Sequence, residues 1–452
     1  MSDASEVQAP KGKRKIGCLT QLIIAVVLFV LIVVGGALAW NAVASRRLNA
    51  AVTAMKNAGY ATSAEELEAA YGPMVEPNPG PLWVEAGKNF VADNAADTKK
   101  LPFIGAEEDI EEAKDVEPGS SFTEIDNARK YIARHARDFD LVRRAAKNPN
   151  PPRYGPLVVT NPTEIKLDFV QGHRHISRVL GLRAIVQSHD KDMDGLLETL
   201  KQNLHVGPSL MDETTIMAQF VADACTQMSL ADVEKYAGQD FTDQQLASLQ
   251  TALRNIDVFK SLRHGLEGEV VHGLSFFQNP MVRGPIPRYD DSAFMAEQAL
   301  LLLEASKSKD WKQVNEAARE LEELIAESQK TATGAARYMM AMTTLPAYAA
   351  LCNAELRVAA GIAVHETLIA TRRFQLKHQR LPEKLEDLVP DFLLTVPTDP
   401  YSNASESLIF KVEDGNVLIY SRGFNGDDDD GNREVDPTGN GYLDIVAELK
   451  TN

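Results

Sequence analysis

Apolar residues fall along this chain in three patterns, and each predicts a different kind of element. Leu22 to Trp40 is a run of 19 consecutive uncharged residues, mostly Leu, Ile, Val and Ala. As a helix rising 1.5 Å per residue, that run is about 28 Å long, enough to span the hydrocarbon core of a bilayer. The second pattern fills the middle of the chain, where apolar positions recur three and four apart, as at Leu180, Leu182, Ile185, Leu196, Leu197, Leu200 and Leu204. That is the period of helices burying one face. The third pattern is confined to the end, where Leu408 to Val412 and Val417 to Ser421 flank Glu413-Asp414-Gly415-Asn416. Two short β-prone runs around Asp-Gly predict a hairpin.

Breaker residues divide the helical text. Asn41 to Tyr71 reads as helix and stops at Gly72-Pro73, with Pro77, Pro79 and Pro81 beyond it. Phe122 to Ala146 is a second helical stretch, closed by Asn148-Pro149-Asn150-Pro151-Pro152. Between residues 80 and 120, Gly, Pro and acidic residues leave no clear period. From Thr163 to about Gly268 the text is helical again, and the turn His189 to Gly195 separates two antiparallel helices. Helix is expected onward to Phe277 and, after a loop from Asn279 to Pro287, from Phe294 to about Arg380, with Gly334, Pro346 and Gly361 as the interruptions. The last long helix sets Leu351, Val358, Ile362, Ile369 and Leu376 on one stripe. A short segment bounded by Pro382 and Pro390, the hairpin and a strand from Tyr442 to Ala447 complete the chain.

The expected fold is therefore mainly α: an N-terminal transmembrane helix, an α-helical array, and a C-terminal α+β unit of one long helix on a three-stranded antiparallel sheet. The divisions fall at 1–16 (basic tail), 17–40 (transmembrane helix), 41–160 (juxtamembrane helical stalk and Pro-rich connector), 161–350 (array) and 351–452 (α+β domain). No fixed repeat period supports a formal solenoid. Lys11, Lys13, Arg14 and Lys15 precede the apolar run and mark its N-terminal side as cytoplasmic, while Trp40 suits an interfacial position. A single-pass anchor with the bulk extracytoplasmic is expected, held by lipid contacts. The rival is a cleaved signal peptide, because Ala37-Leu38-Ala39 fits a cleavage pattern.

Composition narrows the task. A net charge of -17 over 452 residues excludes a general nucleic-acid binder, which needs clustered Lys and Arg. Of the three cysteines, only Cys225 and Cys352 could pair outside the cytoplasm, and small buried apolar roles suffice for both. No Gly-x-Ser-x-Gly elbow, no phosphate loop ending in Lys-Ser/Thr and no Cys-x-x-Cys occurs. A non-enzymatic role is the expectation.

The C-terminal hundred residues resemble the globular domain of type II secretion major pseudopilins. The likeness rests on the long helix leading into Leu381-Pro382 with Leu385, Leu388 and Val389, on Val396-Pro397-Thr398-Asp399-Pro400, on Tyr420 to Gly426, and on an acidic loop ending in Leu443-Asp444-Ile445. In that family the acidic loop binds calcium. The resemblance implies the same for Ser421 to Asp444, with Ser421, Asn425, Asp427, Asp428, Asp429, Asp430, Asp436, Asn440 and Asp444 as candidate ligands. Hard cations take six to eight oxygens, which a Gly-rich carboxylate loop can supply. The family's Gly-x-Asp-Gly is here Gly423-Phe424-Asn425-Gly426, an amide in place of a carboxylate. Its cleavage-site pattern is also altered, since Gly17 is followed by Cys18 and the fifth position is Leu22. The overall layout is similar to uncharacterised bacterial proteins anchored in the inner membrane with a periplasmic helical ectodomain.

Other constellations read as structural. Asp190 to Gly195 opens like an EF-hand loop, but Lys201 stands at position twelve, so its carboxylates are expected to cap the following helix. His173 and His175, two apart on a helix, cannot chelate together and are expected to be surface or partly buried. His365-Glu366 lacks a second histidine at Ile369. Arg372, Arg373, Lys377, His378 and Arg380 complement a helix C-terminus. The functional expectation is an anchored extracytoplasmic scaffold or interaction protein with protein partners. The alternatives are an accessory component of a type II secretion-like or envelope-assembly system, and a hydrolase with an unrecognised site in the helical body.

Overall fold

The computed structural model describes residues 18–104, 116–157, 168–278, 289–330 and, apart from 340, 403, 414, 438 and 440, residues 337–450. The basic tail at 11–15, the loop at 279–287 and candidate ligand Asn440 lie outside the described residues.

Helix α1 (Cys18–Asn57) runs unbroken through the apolar stretch and beyond it. Its residues 21–40 are exposed among the described residues and belong to a helix long and apolar enough to cross a membrane. The character changes at residue 44. Ala44, Leu48, Ala51 and Met55, spaced at three and four, are buried, and they seat α1 against a later helix, α11 (Tyr289–Lys307). Arg47 fixes that seat: its guanidinium forks onto Glu297 at 2.6 and 2.8 Å and reaches Asp290 at 3.2 Å and the Tyr338 hydroxyl at 3.1 Å. The segment expected as a stalk is thus built into the body over its second half.

Helices α2 (Ala64–Tyr71) and α3 (Gly80–Ala92) follow. The stretch read as one helix from Phe122 is two, α4 (Ile125–Arg134) and α5 (Ala136–Ala146). They part at His135, whose ring nitrogens lie 2.8 Å from Asp93 and 2.7 Å from Asp138. The array continues as α6 (Asp168–His189), α7 (Met193–Val206), α8 (Ile216–Tyr236), α9 (Asp243–Arg254) and α10 (Val258–Gln278), then α11 and α12 (Trp311–Gln329).

Helix α13 (Ala341–His378) is the spine of the molecule. It packs against α8, α9, α10, α11 and α12 and also against the sheet, so it is buried on nearly all sides, not along one stripe. Its first half joins α1, α10, α11 and α12 in one hydrophobic core through Leu345, Tyr348 and Leu351. Its second half joins α3 to α9 and the sheet in another through Val358, Leu368 and Phe374. The boundary expected at 350 falls inside this helix.

Strands β1 (Ile409–Glu413), β2 (Asn416–Ser421) and β3 (Ile445–Leu449) form a three-stranded antiparallel sheet in the order β1-β2-β3. The register pairs Val412 with Val417 and Ile419 with Ala447. Gly415 takes the φ of +83° that the hairpin needs. Val417, Ile419, Ala447 and Leu449 share the core with α13, each large apolar side chain contributing about 1.5–3 kcal/mol on burial. Tyr442, expected in the last strand, instead bridges Val435 ahead of β3.

Candidate functional site

The acidic loop hangs between β2 and β3, and its two ends are tied down differently. At the first, the Ser421 hydroxyl donates to Asp399 Oδ1 at 2.5 Å. Asp399 is 1% exposed and also accepts the Tyr401 and Arg422 N–H groups at 3.0 Å, with Arg422 Nη1 at 3.2 Å. A buried carboxylate so fully bonded is a structural peg, and Ser421 is turned toward it. The second end, at residues 442–443, is crossed by the first at Gly423. A Cβ there would lie 2.2 Å from the Tyr442 carbonyl oxygen and 2.3 Å from that of Leu443.

Within the loop, Asn425 Oδ1 accepts the Asp427 N–H at 3.1 Å, and its Nδ2 donates to Asp429 at 2.7 Å. Asp428 accepts the Tyr420 hydroxyl at 2.8 Å and the Asp430 N–H at 3.0 Å. Burial works against its charge, but these bonds and nearby Lys411 and Arg422 outweigh it and lower its pKa. Asp430 is exposed and pairs with Lys411 at 2.8 Å. Asp427 is exposed. Asp436 is buried in a turn closed by its own backbone, its N–H bonding Gly441 O at 2.8 Å and its carbonyl accepting the Gly439 N–H at 2.7 Å.

Asp444 stands apart from these. It is 2% exposed, its Oδ2 accepts the Gly431 and Asn432 N–H groups at 2.9 and 3.0 Å, and its Oδ1 is buried with no partner among the described residues. Burial pushes its pKa up to about 6 despite those bonds, with Asp429 and Asp428 adding to the rise. The structure thus sets the charges of Asp428 and Asp429 against a buried Asp444 that carries an orphaned oxygen. Burying an unpaired carboxylate oxygen costs free energy unless a proton or a cation compensates it. In charge and donor chemistry this suits a hard cation, which when bound would neutralise the repulsion. Among the described residues no three His, Cys, Asp or Glu side chains are arranged as a metal-binding group, so amide and backbone oxygens would have to complete the set.

The loop is also clamped to the helical body, which its own sequence did not signal. Arg433 reaches Glu234 of α8 at 2.6 Å, and the same carboxylate accepts the Glu448 N–H at 3.0 Å.

The remaining constellations resolve into structure. Asp192 caps α7 by accepting the Gly195 N–H at 3.0 Å, and Asp190 pairs with Arg129. His173 is fully buried, a correction to the expected surface or partial exposure. Its Nδ1 donates to the Phe169 carbonyl at 2.9 Å, Nε2 lies 2.9 Å from the Tyr154 hydroxyl, and burial lowers its pKa to about 4. His365 is buried, with Nδ1 donating to Gly361 O at 2.7 Å. Arg373 bonds Asp243 at 2.8 Å and Gln250 at 2.9 Å, and Lys377 pairs with Asp391 at 2.8 Å. Cys225 and Cys352 are buried and unbridged.

Sequence reasoning missed one further set, the acids inside the body. Among the described residues, Asp223 of α8 is 3% exposed with both carboxylate oxygens unpartnered, and Glu355 of α13 is fully buried with only Oε1 bonded, to Ser261. Burial raises both pKa values; the Asp223 charge adds to the rise at Glu355, while the Arg357 charge acts against the rise at Asp223. A lone Asp or Glu in an otherwise apolar helical period was the available signal. No family model, curated protein or solved structure matches this chain.

Proposed function

We propose that this chain is a single-pass, membrane-anchored scaffold or interaction protein whose extracytoplasmic body ends in a calcium-stabilised tail. The observation that supports it best is the continuity of α1. One helix carries uncovered apolar residues at 21–40 and buried ones from Ala44 to Met55, so an anchor in the bilayer would be rigidly joined to the body. Arg337, placed 4.6 Å over the Trp40 ring and 2.7 Å from Asp290, braces the same junction. The acidic loop, with its orphaned Asp444 oxygen, supports calcium in the tail. Protease added to spheroplasts should digest the body while sparing the N-terminal basic segment and the membrane-embedded part of α1. Complete protection until the membrane is lysed would place the bulk in the cytoplasm and refute the reading.

A second reading, docking to a type II secretion-like or envelope-assembly system through a pseudopilin-like tail, is favoured by the antiparallel sheet lying against the second half of α13. Its test is crosslinking and pull-down from intact membranes. Recovery of no secretion or assembly component would count against it.

A further inference from the structure

A cleft of about 470 Å³ opens where the exit of α1, the end of α2 and the face of α10 meet. In a protein of net charge -17, its walls hold four permanent cations, Arg153, Lys260, Arg263 and Lys307, against two carboxylates, Asp212 and Glu267. Lys260 is paired with Asp212 at 2.6 Å, and Lys307 donates to the Ala58 carbonyl at 3.1 Å. Glu267 is committed to the Ala61 N–H at 2.6 Å. Burial raises its pKa, while the Ala61 N–H and the charges of His264 and Arg263 pull the other way.

Three donors are left under-used. Arg263 is half-buried with no hydrogen bond or ion pair among the described residues, although its charge acts on Tyr60, Tyr71 and Glu267. Arg153 makes one side-chain bond, to the Gly72 carbonyl at 3.3 Å, and lies 5.1 Å over the Tyr71 ring. The Tyr71 hydroxyl is buried without a partner among the described residues. The buried Tyr71 hydroxyl is costly to leave unpaired, and half-buried guanidinium groups beside an O–H match the oxygens of an anion.

We propose that this cleft binds a small soluble oxyanion, its carboxylate or phosphate group held by Arg263, Arg153 and the Tyr71 hydroxyl. The volume is in the usual range for small-molecule sites of roughly 300–1,000 Å³ and exceeds a bare phosphate. The ligand therefore carries an organic part lying against the Tyr60 and Tyr71 rings. About 25 Å of α1 separates Trp40 from Asn57 at 1.5 Å per residue, which sets the cleft beyond lipid headgroups and favours a soluble source.

The test is calorimetric titration of the full chain in neutral detergent with inorganic phosphate, against sodium chloride at matched ionic strength. Saturable phosphate binding is expected. Arg263→Gln should weaken it at least tenfold, Tyr71→Phe several-fold without lowering the melting temperature, and Arg143→Gln, an exposed cation on α5, should leave it unchanged. No saturable binding, or equal binding by Arg263→Gln and wild type, overturns the site. If phosphatidylglycerol vesicles abolish the phosphate response where phosphatidylcholine vesicles do not, a headgroup fills the cleft and the soluble source is wrong.

Discussion

Replacing Asp223 with asparagine should make the body more stable at pH 8 and flatten its dependence on pH. Asp223 and Glu355 face each other from α8 and α13 with three carboxylate oxygens unpartnered among the described residues, and burial raises the folded-state pKa of each. The unfolded chain releases the Asp223 proton near pH 3.9. Above that pH the folded state binds more protons than the unfolded state, so stability falls as pH rises until the folded-state pKa is passed. One such proton is worth about 1.4 kcal/mol per pH unit, hence about 3 kcal/mol between pH 5 and 7. At about 2.1 cal/mol/K of unfolding entropy per residue, that is roughly 3–4 °C in melting temperature for a body of this size. The Asp223→Asn side chain would have no proton to lose, and its amide could donate to the free Glu355 oxygen. Thermal melts of the full chain in detergent at half-unit steps from pH 5 to 8 are the assay. The variant should lose about one proton's worth of slope and melt higher at pH 8. Identical slopes, or a lower melting point at pH 8, would show that the pair is not holding protons against burial.

Two other perturbations probe the frame. Arg47→Ala removes a forked, two-thirds-buried contact to Glu297 and leaves Asp290 with less compensation. It should cost about 1.5–3 kcal/mol locally and raise hydrogen exchange over residues 41–57, while an unchanged exchange pattern would mean the apolar seat alone holds α1. Gly423→Ala forces a Cβ into the carbonyls of Tyr442 and Leu443. The acidic loop should detach and become protease-sensitive while the helical body melts as before, and a variant loop as resistant as wild type would contradict the close crossing.

The legible parts of the fold were those where one local signal decided the outcome. The apolar run, the Asp414-Gly415 turn and the Asp192 cap each act over a few residues, and the described parts of each took the expected form. The break at residues 308–310 was not legible, because no Gly or Pro marks it. It is made by Lys309 at a φ of +54° and by Asp310 capping α12 through the Lys312 N–H. Pro346 misled in the opposite sense, since it sits inside α13 on an exposed face with Thr343 and Ala350, while Gly361 lies in the packed stretch of the same helix, where burial outweighs its local cost. Helix α3 hid in a stretch crowded with breakers, although Trp83, Ala86 and Phe90 recur at helical spacing and are buried. For the candidate site, charge composition pointed to the loop, but not to the peg at Asp399 or the clamp from Glu234. Those depend on contacts across 22 or more residues of sequence.

Calcium in the tail comes down to one comparison, the melting temperature of the full chain in EDTA and in calcium, for wild type and Asp444→Asn. The variant keeps an oxygen for the Gly431 and Asn432 N–H groups but loses the charge. Calcium at a hundredfold over its Kd should add about 2.7 kcal/mol to wild type, a rise of roughly 3 °C. Asp444→Asn should match or exceed wild type in EDTA, freed from repulsion by Asp428 and Asp429, and show no rise. An equal calcium response in both proteins, or none in wild type, would contradict a calcium-stabilised tail.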